Sequence, residues 1–446
     1  YAPGAAHMYC VEQSLSNTDV LYAGGATSGL WKTTDKGNNW TLLTRDFTFN
    51  TVYALEIDFS DADIIYFGGN SGMYKSTDGG ANISQIGDAT FQAASHNHFR
   101  DIKMHPANNS ILWAASDAGL WKATDAGANW TQVMTGAFQE IEFKPDNNTV
   151  MYVIRQVGDD TEFYKSTDSG TNWVQKTNGW PDPSTQTQPA ENLRTEIAVT
   201  PDDPDRIYAQ ACGIANGGSG LYGLYVSYDA GESWTFNCCG PQPAGVPDAT
   251  TNPNLMGWQD DGSDNGGQYY FDVALAVSTT NADSVILAGV NTWYSADAGQ
   301  TFNCPAKWSH PDKANYVHAD MHDINIYGED IWMACDGGIF YSNDGNQNIT
   351  RKMYGITGTD FWGFGIGFSN GNVMIGGTYH NGTHLKDGDV YNNGWLCTQG
   401  GDNWRGTVNP YNDRIVYHDG GRKLLPGDRT EDITGLDYTI SYNTGS

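Results

Sequence analysis

The sequence predicts an all-β propeller of four-stranded antiparallel blades, on three observations. An octapeptide, Ser/Thr-x-Asp-x-Gly-x-x-Trp/Phe, recurs along most of the 446 residues. Its aspartates follow one another at intervals of 43, 47, 43, 61, 68 and 47 residues, a period that specifies a propeller or a solenoid. Alternating apolar stretches precede the copies, as in LYAGGATSGLWK at 21–32, and the composition carries 54 glycines and 13% aromatic residues, as many short strands and tight turns require.

The copies are TTDKGNNW (33–40), STDGGANI (76–83), ATDAGANW (123–130), STDSGTNW (166–173), SYDAGESW (227–234), SADAGQTF (295–302) and a degraded SNDGNQNI (342–349). Each reads as the turn between the last two strands of a blade. The aspartate accepts backbone N–H groups just downstream, and the glycine takes a conformation that side chains resist. The closing Trp or Phe starts the next strand and can bury its ring between units. Asp35, Asp78, Asp125, Asp168, Asp229, Asp297 and Asp344 are therefore expected to be architectural, because an active site would break the repeat.

This octapeptide is similar to the Asp-box, or bacterial neuraminidase repeat. From about 21 to 417 the chain resembles Asp-box β-propellers, a group that includes sialidases, xyloglucanases and sortilin-like ectodomains. The segments at 267–299, 317–345 and 376–383 resemble secreted Bacteroidota proteins of this group, related to sortilin and the xyloglucanases and described loosely as glycosyl hydrolases. Such kinship implies a secreted or cell-surface protein and export by type IX secretion.

Seven boxed blades are expected, with an eighth that lacks a box (361–383) and part of a ninth (405–421). This places blades over 1–404 and a partial blade or tail over 405–446, which either completes the ring or leads into a further region. No initiator Met or signal peptide is present, so a processed or partial product is expected. Innermost strands are expected at TVYALEIDF (51–59), FRDIKMHP (99–106) and FQEIEFKP (138–145). Pro-, Gly- and Asn-rich insertions at 178–192 and 238–268 account for the two long intervals. Loops of that length on a repeat scaffold are a usual place for binding.

The net charge of −29 argues against nucleic acid and anionic lipid as partners. No apolar run is long enough to cross a bilayer. Seven cysteines without a CxxC pair point to one or two disulfides in an oxidising compartment.

Several residues are candidates for chemistry. His318, Asp320 and His322 alternate, so on a strand they would share one face toward the central channel, as a polar lining or as metal ligands. His96 and His98 would join them. Asp260, Asp261 and Asp264 form an oxygen-rich run suited to calcium. Trp180, Trp258 and Trp308 lie outside the box register, where exposed rings could stack on sugar or anchor a partner. The two insertions, which flank one blade, are expected to rise together as a rim.

Two departures from the family bear on catalysis. Xyloglucanases carry a catalytic Asp in a first-blade segment like ARTDIGGAYR, where this chain has Ala26 in AGGATSGLWK. Related chains read GGTQDNGT, where this one has Tyr379 and His380. A two-carboxylate glycosidase needs both members of its pair. The expected function is therefore a non-catalytic propeller that binds glycan or protein partners through one face. The alternatives are a glycoside hydrolase with a rearranged carboxylate pair and a structural subunit of a surface assembly.

Overall fold

The computed structural model describes residues 6–47, 51–69, 71–94, 98–187, 189–215, 218–387 and 395–425. Among these, the chain forms eight four-stranded sheets and one three-stranded sheet, each with its strands in chain order. The helical exceptions are Ala89–Ala94 and a single turn at Pro183–Thr185. No helix of the described residues is long and apolar enough to cross a membrane.

The chain divides into two compact units, Met8–Ile356 and a second made of Tyr1–His7 with Thr357–Ser446. The first unit holds all seven boxed blades, at 8–42, 52–85, 99–135, 137–175, 194–238, 274–306 and 321–351. Their first strands abut one another in a ring, Met8–Gln13 beside Val52–Ile57 and so on round to Met321–Tyr327, which returns to Met8–Gln13. Side chains seal the seam. Asp323 accepts the Val11 N–H at 2.9 Å, Asn325 donates to the Val11 carbonyl at 2.9 Å, and the Trp332 indole donates to Gln13 at 2.6 Å. At the outer edge, Trp40 donates to the carbonyls of Tyr354 and Lys352.

A ring sealed at seven has no place for an eighth blade. The boundary between units accordingly falls at Ile356/Thr357 rather than at 404. The unboxed sheet (Phe361–Ile366, Val373–Thr378, Gly382–Asp387, Leu396–Gln399) and the three-stranded sheet (Gly406–Val408, Ile415–His418, Gly421–Leu424) belong to the second unit.

The middle strands of the blades are buried on both faces, as in Leu21–Gly25, Ile65–Gly69 and Val285–Ala288. The apolar clusters accordingly lie between successive blades, for example Tyr66, Phe99, Ile102, Leu112 and Trp130 between blades two and three. Burying such rings is the main favourable term holding blade to blade.

The boxes perform the expected turn, with one refinement. Asp168 accepts the Ser166 hydroxyl and the Asn172 backbone N–H on one oxygen and the Asn172 amide on the other. These bonds hold Asp168 down at about 2. Two consecutive residues, not the glycine alone, take positive φ: Lys36 and Gly37, Ala126 and Gly127, Ser169 and Gly170, Ala230 and Gly231, Ala298 and Gly299. In the degraded copy Asn346 replaces the glycine at φ 65°, a conformation Asn tolerates.

In six boxes the first-position hydroxyl donates to the aspartate and accepts an N–H four residues on. Copy three has Ala123 there. Ala123→Ser is expected to stabilise the first unit by about 0.5–1.5 kcal/mol, read as an upward shift of the urea midpoint.

Of the seven cysteines, Cys238 and Cys239 pair with each other, while Cys10, Cys212, Cys304, Cys335 and Cys397 are free thiols.

Candidate functional site

The first strands alternate, so one set of side chains packs between blades and the other turns into the central channel. The channel encloses a cavity of about 410 Å³. Its lining includes Glu12, Glu56, Asp101, Glu140, Glu142, Glu196 and Asp323 against Lys103, with Arg194 and Arg100 at its edges. Burial pushes Glu56 up to about 8 and Asp323 to about 7. Burial, with Glu56 beside it, pushes Glu12 well up, and burial beside Glu196 does the same to Glu140. Burial works against the Lys103 charge, yet Glu142, Asp101, Glu140 and Glu56 outweigh it and hold the ammonium protonated. Lys103 pairs with Glu142 at 3.2 Å. Some of these groups also tie blades together, as Asp101 does by accepting the Ile141 N–H at 2.9 Å.

At one mouth of this channel five rings form a continuous arc. Phe271 meets His322 at 4.8 Å between centroids, His322 meets Tyr9 at 5.0 Å, Tyr9 meets Tyr53 at 4.8 Å and Tyr53 meets His98 at 4.7 Å. Tyr9, Tyr53 and His322 stand on the first strands of blades one, two and seven, while His98 and Phe271 stand just before those of blades three and six. Anchors fix both ends. His98 bonds Asp117 through Nδ1 at 2.9 Å and the Tyr53 hydroxyl through Nε2 at 3.2 Å, and Arg100 also holds Asp117. His322 Nε2 stands 2.7 Å from Asp336. The Phe271 carbonyl accepts from Arg194 at 3.1 Å. The arc thus positions aromatic rings above an acidic lumen, with the His322 ring packed in at 3% side-chain exposure.

The sequence-derived candidates are distributed differently from expectation. His322 does lie on the first strand of blade seven, but the strand begins at Met321 and Asp320 sits before it at φ 63°. That left-handed residue breaks the alternation, so His318, Asp320 and His322 share no strand face. The His318 side chain packs on Gly337, and Asp320 accepts the Gln268 amide at 3.1 Å. His98 joins the arc, and His96 lies outside the described residues.

Trp180 is not a rim residue. It is 8% exposed, stacks on Phe163, crosses Trp234 and donates to the Thr161 carbonyl at 2.7 Å. Trp258 and Trp308 are exposed, and the Trp308 indole donates to the Trp258 carbonyl at 3.1 Å.

The calcium candidates are engaged one by one. Asp260 pairs with Lys307 at 2.8 Å, Asp261 accepts the Ser263 N–H, and Asp264 accepts those of Trp258, Gln259 and Gly266. The 238–268 insertion buries Leu255 and Met256 in the core of blades five and six. It is a packed plug rather than a raised rim, because Asn254 ties it to Leu221, Met256, Asp264 and Gly266.

Ala26 is buried, and its carbonyl accepts the Thr51 hydroxyl at 2.7 Å. Tyr379 and His380 form a turn in the second unit, where Tyr379 stacks on Trp362 at 4.5 Å.

Neither a family model nor a curated protein matches the sequence. Solved structures do match in fold. An ancestral GH74 enzyme aligns with a TM-score of 0.62 at 15% identity over 96% of this chain and 59% of its own. The GH74 enzyme of Niastella koreensis aligns at 0.57 and 15% identity over 99% and 74%. YCF48, solved bound to a D1 peptide, aligns at 0.51 and 19% identity over 76% and 94%. The chain is a β-propeller protein. It spans 59% of the length of the ancestral GH74 enzyme, and at these identities the likeness extends to the fold alone.

Proposed function

We propose that this chain is a non-catalytic binding propeller, secreted or at the cell surface, that captures a protein partner at its channel mouth. An extended segment of the partner would lie against Phe271, Tyr9, Tyr53 and His98, with the His322 ring packed among them, and present a basic side chain to the acidic lumen. The observation that carries this reading is the arc of five rings above a carboxylate-lined cavity. Aromatic faces supply rigid contact area, and a lysine or arginine over them gains both cation–π and lumenal attraction. YCF48, a fold neighbour that binds a D1 peptide, supports a peptide as occupant. An extracellular domain from B. thetaiotaomicron among the fold neighbours supports the location.

A glycan is the second reading, favoured by the GH74 enzymes among the neighbours and by the fit of aromatic faces to sugar rings. Hydrolysis has less support. Ala26 offers no carboxylate at the position where a two-carboxylate glycosidase of this kind would carry one.

The test is a calorimetric panel on the purified chain. It would compare a lysine- and arginine-bearing peptide library, charge-reversed counterparts and xyloglucan oligosaccharides, with a reducing-sugar assay alongside. Binding confined to basic peptides and weakened by salt is the expected result. Oligosaccharide binding alone would move the reading to a glycan, and sugar release above a heat-killed control would make the chain an enzyme.

A further inference from the structure

Behind the aromatic arc, at the junction of blades six and seven, three aspartates are buried together. Asp272 precedes the first strand of blade six, Asp320 precedes that of blade seven, and Asp336 sits in the turn between Asp330–Cys335 and Gly338–Ser342. Their exposures are 0%, 9% and 0%. The Asp336 N–H donates to the Asp320 carbonyl at 3.2 Å, so two of the three are joined through the backbone.

Asp272 differs from its neighbours. Asp320 accepts from Gln268 and Asp336 meets His322, whereas neither carboxylate oxygen of Asp272 has a hydrogen-bond partner. Phe271 and Val273 line the channel, and the residue between them is turned away from it, under the influence of Asp320 and Asp336. Arg194 comes near, but its guanidinium is committed to the carbonyls of Phe271 and Val273 and to Glu196. An interior carboxyl with no donor beside two other carboxylates either keeps a proton or takes up a positive charge.

We propose that Asp272, together with Asp320 and Asp336, binds one hard divalent cation of the calcium kind. The donors are all carboxylate oxygens, the set that calcium and magnesium prefer over softer metals. The site is also too enclosed to admit the ammonium or guanidinium of a partner. Asp272 is the primary ligand, with both oxygens available. The three carboxylates do not yet stand at mutual ligand spacing, so binding draws Asp320 and Asp336 toward Asp272. Because Asp336 holds His322, and Phe271 is the neighbour of Asp272, the ion braces the two rings at one end of the arc.

The experiment is calcium chloride alone, titrated into the chelator-stripped full chain, followed by calorimetry and thermal melting. The expected result is a calcium-dependent rise in Tm that Asp272→Asn abolishes, with calcium affinity at least about 100-fold weaker in that variant. Asp272→Asn without calcium should melt at or above the wild type, since it replaces a buried carboxyl without a hydrogen-bond partner by a neutral side chain of the same shape. Should that variant fail to fold, Asp320→Asn is expected to weaken calcium binding by about 10-fold or more. An unchanged wild-type Tm up to about 10 mM calcium would overturn the proposal, as would wild-type affinity in Asp272→Asn or, if that variant does not fold, in Asp320→Asn.

Discussion

Replacing Lys103 by Met is expected to destabilise the first unit by about 2–4 kcal/mol at pH 8 and by far less at pH 5. Lys103 stands among Glu142, Asp101, Glu140 and Glu56, with Glu12, Asp323 and Glu196 further round the lumen and Arg194 and Arg100 at its edges. Breaking a buried pair leaves its partner uncompensated. The lumen is solvent-sized and the Lys103 side chain is 32% exposed to it, which moderates the cost from the 3–5 kcal/mol of a dry site to about 2–4.

The pH dependence follows from the direction of the shifts. Glu56 and Asp323 are raised to about 8 and about 7 in the folded state, so the folded state holds more protons than the unfolded one between roughly pH 4 and those values. Their contribution to stability therefore falls as pH rises through that window, and the loss of Lys103 costs most once they are ionised. The box aspartates have the opposite sign. Asp168 at about 2 contributes stability that is present above pH 4 and lost as pH falls toward 2. Wild-type stability is expected to peak in mildly acidic solution, and urea midpoints from pH 3 to 9 for both proteins would check it. A Lys103→Met cost that is flat across that range would show that the lumen carboxylates are not ionised around Lys103.

Trp180→Ala is expected to cost about 3–5 kcal/mol, whereas Trp258→Ala should stay within about 1 kcal/mol. Trp180 fills the space between Phe163 and Trp234 and donates its N–H to a backbone carbonyl, so truncation leaves a cavity and an orphaned acceptor. Trp258 is 43% exposed, and its contact with Trp308 runs through its backbone carbonyl, which survives the substitution. Equal denaturation midpoints for the two variants would contradict this. Trimming 245–257 is likewise expected to unfold blades five and six, because it removes Asn254, Leu255 and Met256 from the core.

The two tryptophans show where sequence reasoning stops. Both lie in Pro- and Gly-rich stretches outside the box register, and nothing in the local pattern separates the buried ring from the exposed one. What decides is which blade surface each loop reaches. The boxes were legible because their chemistry is local: an aspartate, its acceptor geometry and two left-handed residues lie within eight positions. Seven blades and the first strands at 52–57, 99–105 and 137–143 followed from that period. Closure at seven was not legible, since it rests on Val11 meeting Asp323 and Gln13 meeting Trp332 across more than 300 residues.

The lumen had a signal that could have been used. Acidic residues fall on the polar phase of the first strands at Glu12, Glu56, Asp101, Glu140, Glu142, Glu196 and Asp323, and period-two alternation turns them to the lumen. The arc left no such trace, because Tyr9, Tyr53, His98, Phe271 and His322 belong to five different blades and meet only when the ring closes. Asp320 misled the reading of His318 and His322 because a residue with positive φ inverts the alternation at the strand's edge.

The most direct measurement is a comparison of Tyr53→Ala and Trp258→Ala in titrations with one basic peptide that binds the wild type. Tyr53 lies within the arc and touches both Tyr9 and His98, while Trp258 lies on the insertion surface. A partner held at the channel mouth predicts at least about 10-fold weaker binding for Tyr53→Ala and unchanged binding for Trp258→Ala, with both variants folded. Unchanged affinity in folded Tyr53→Ala with loss in Trp258→Ala would place the binding surface on the insertion and contradict the channel mouth as the site.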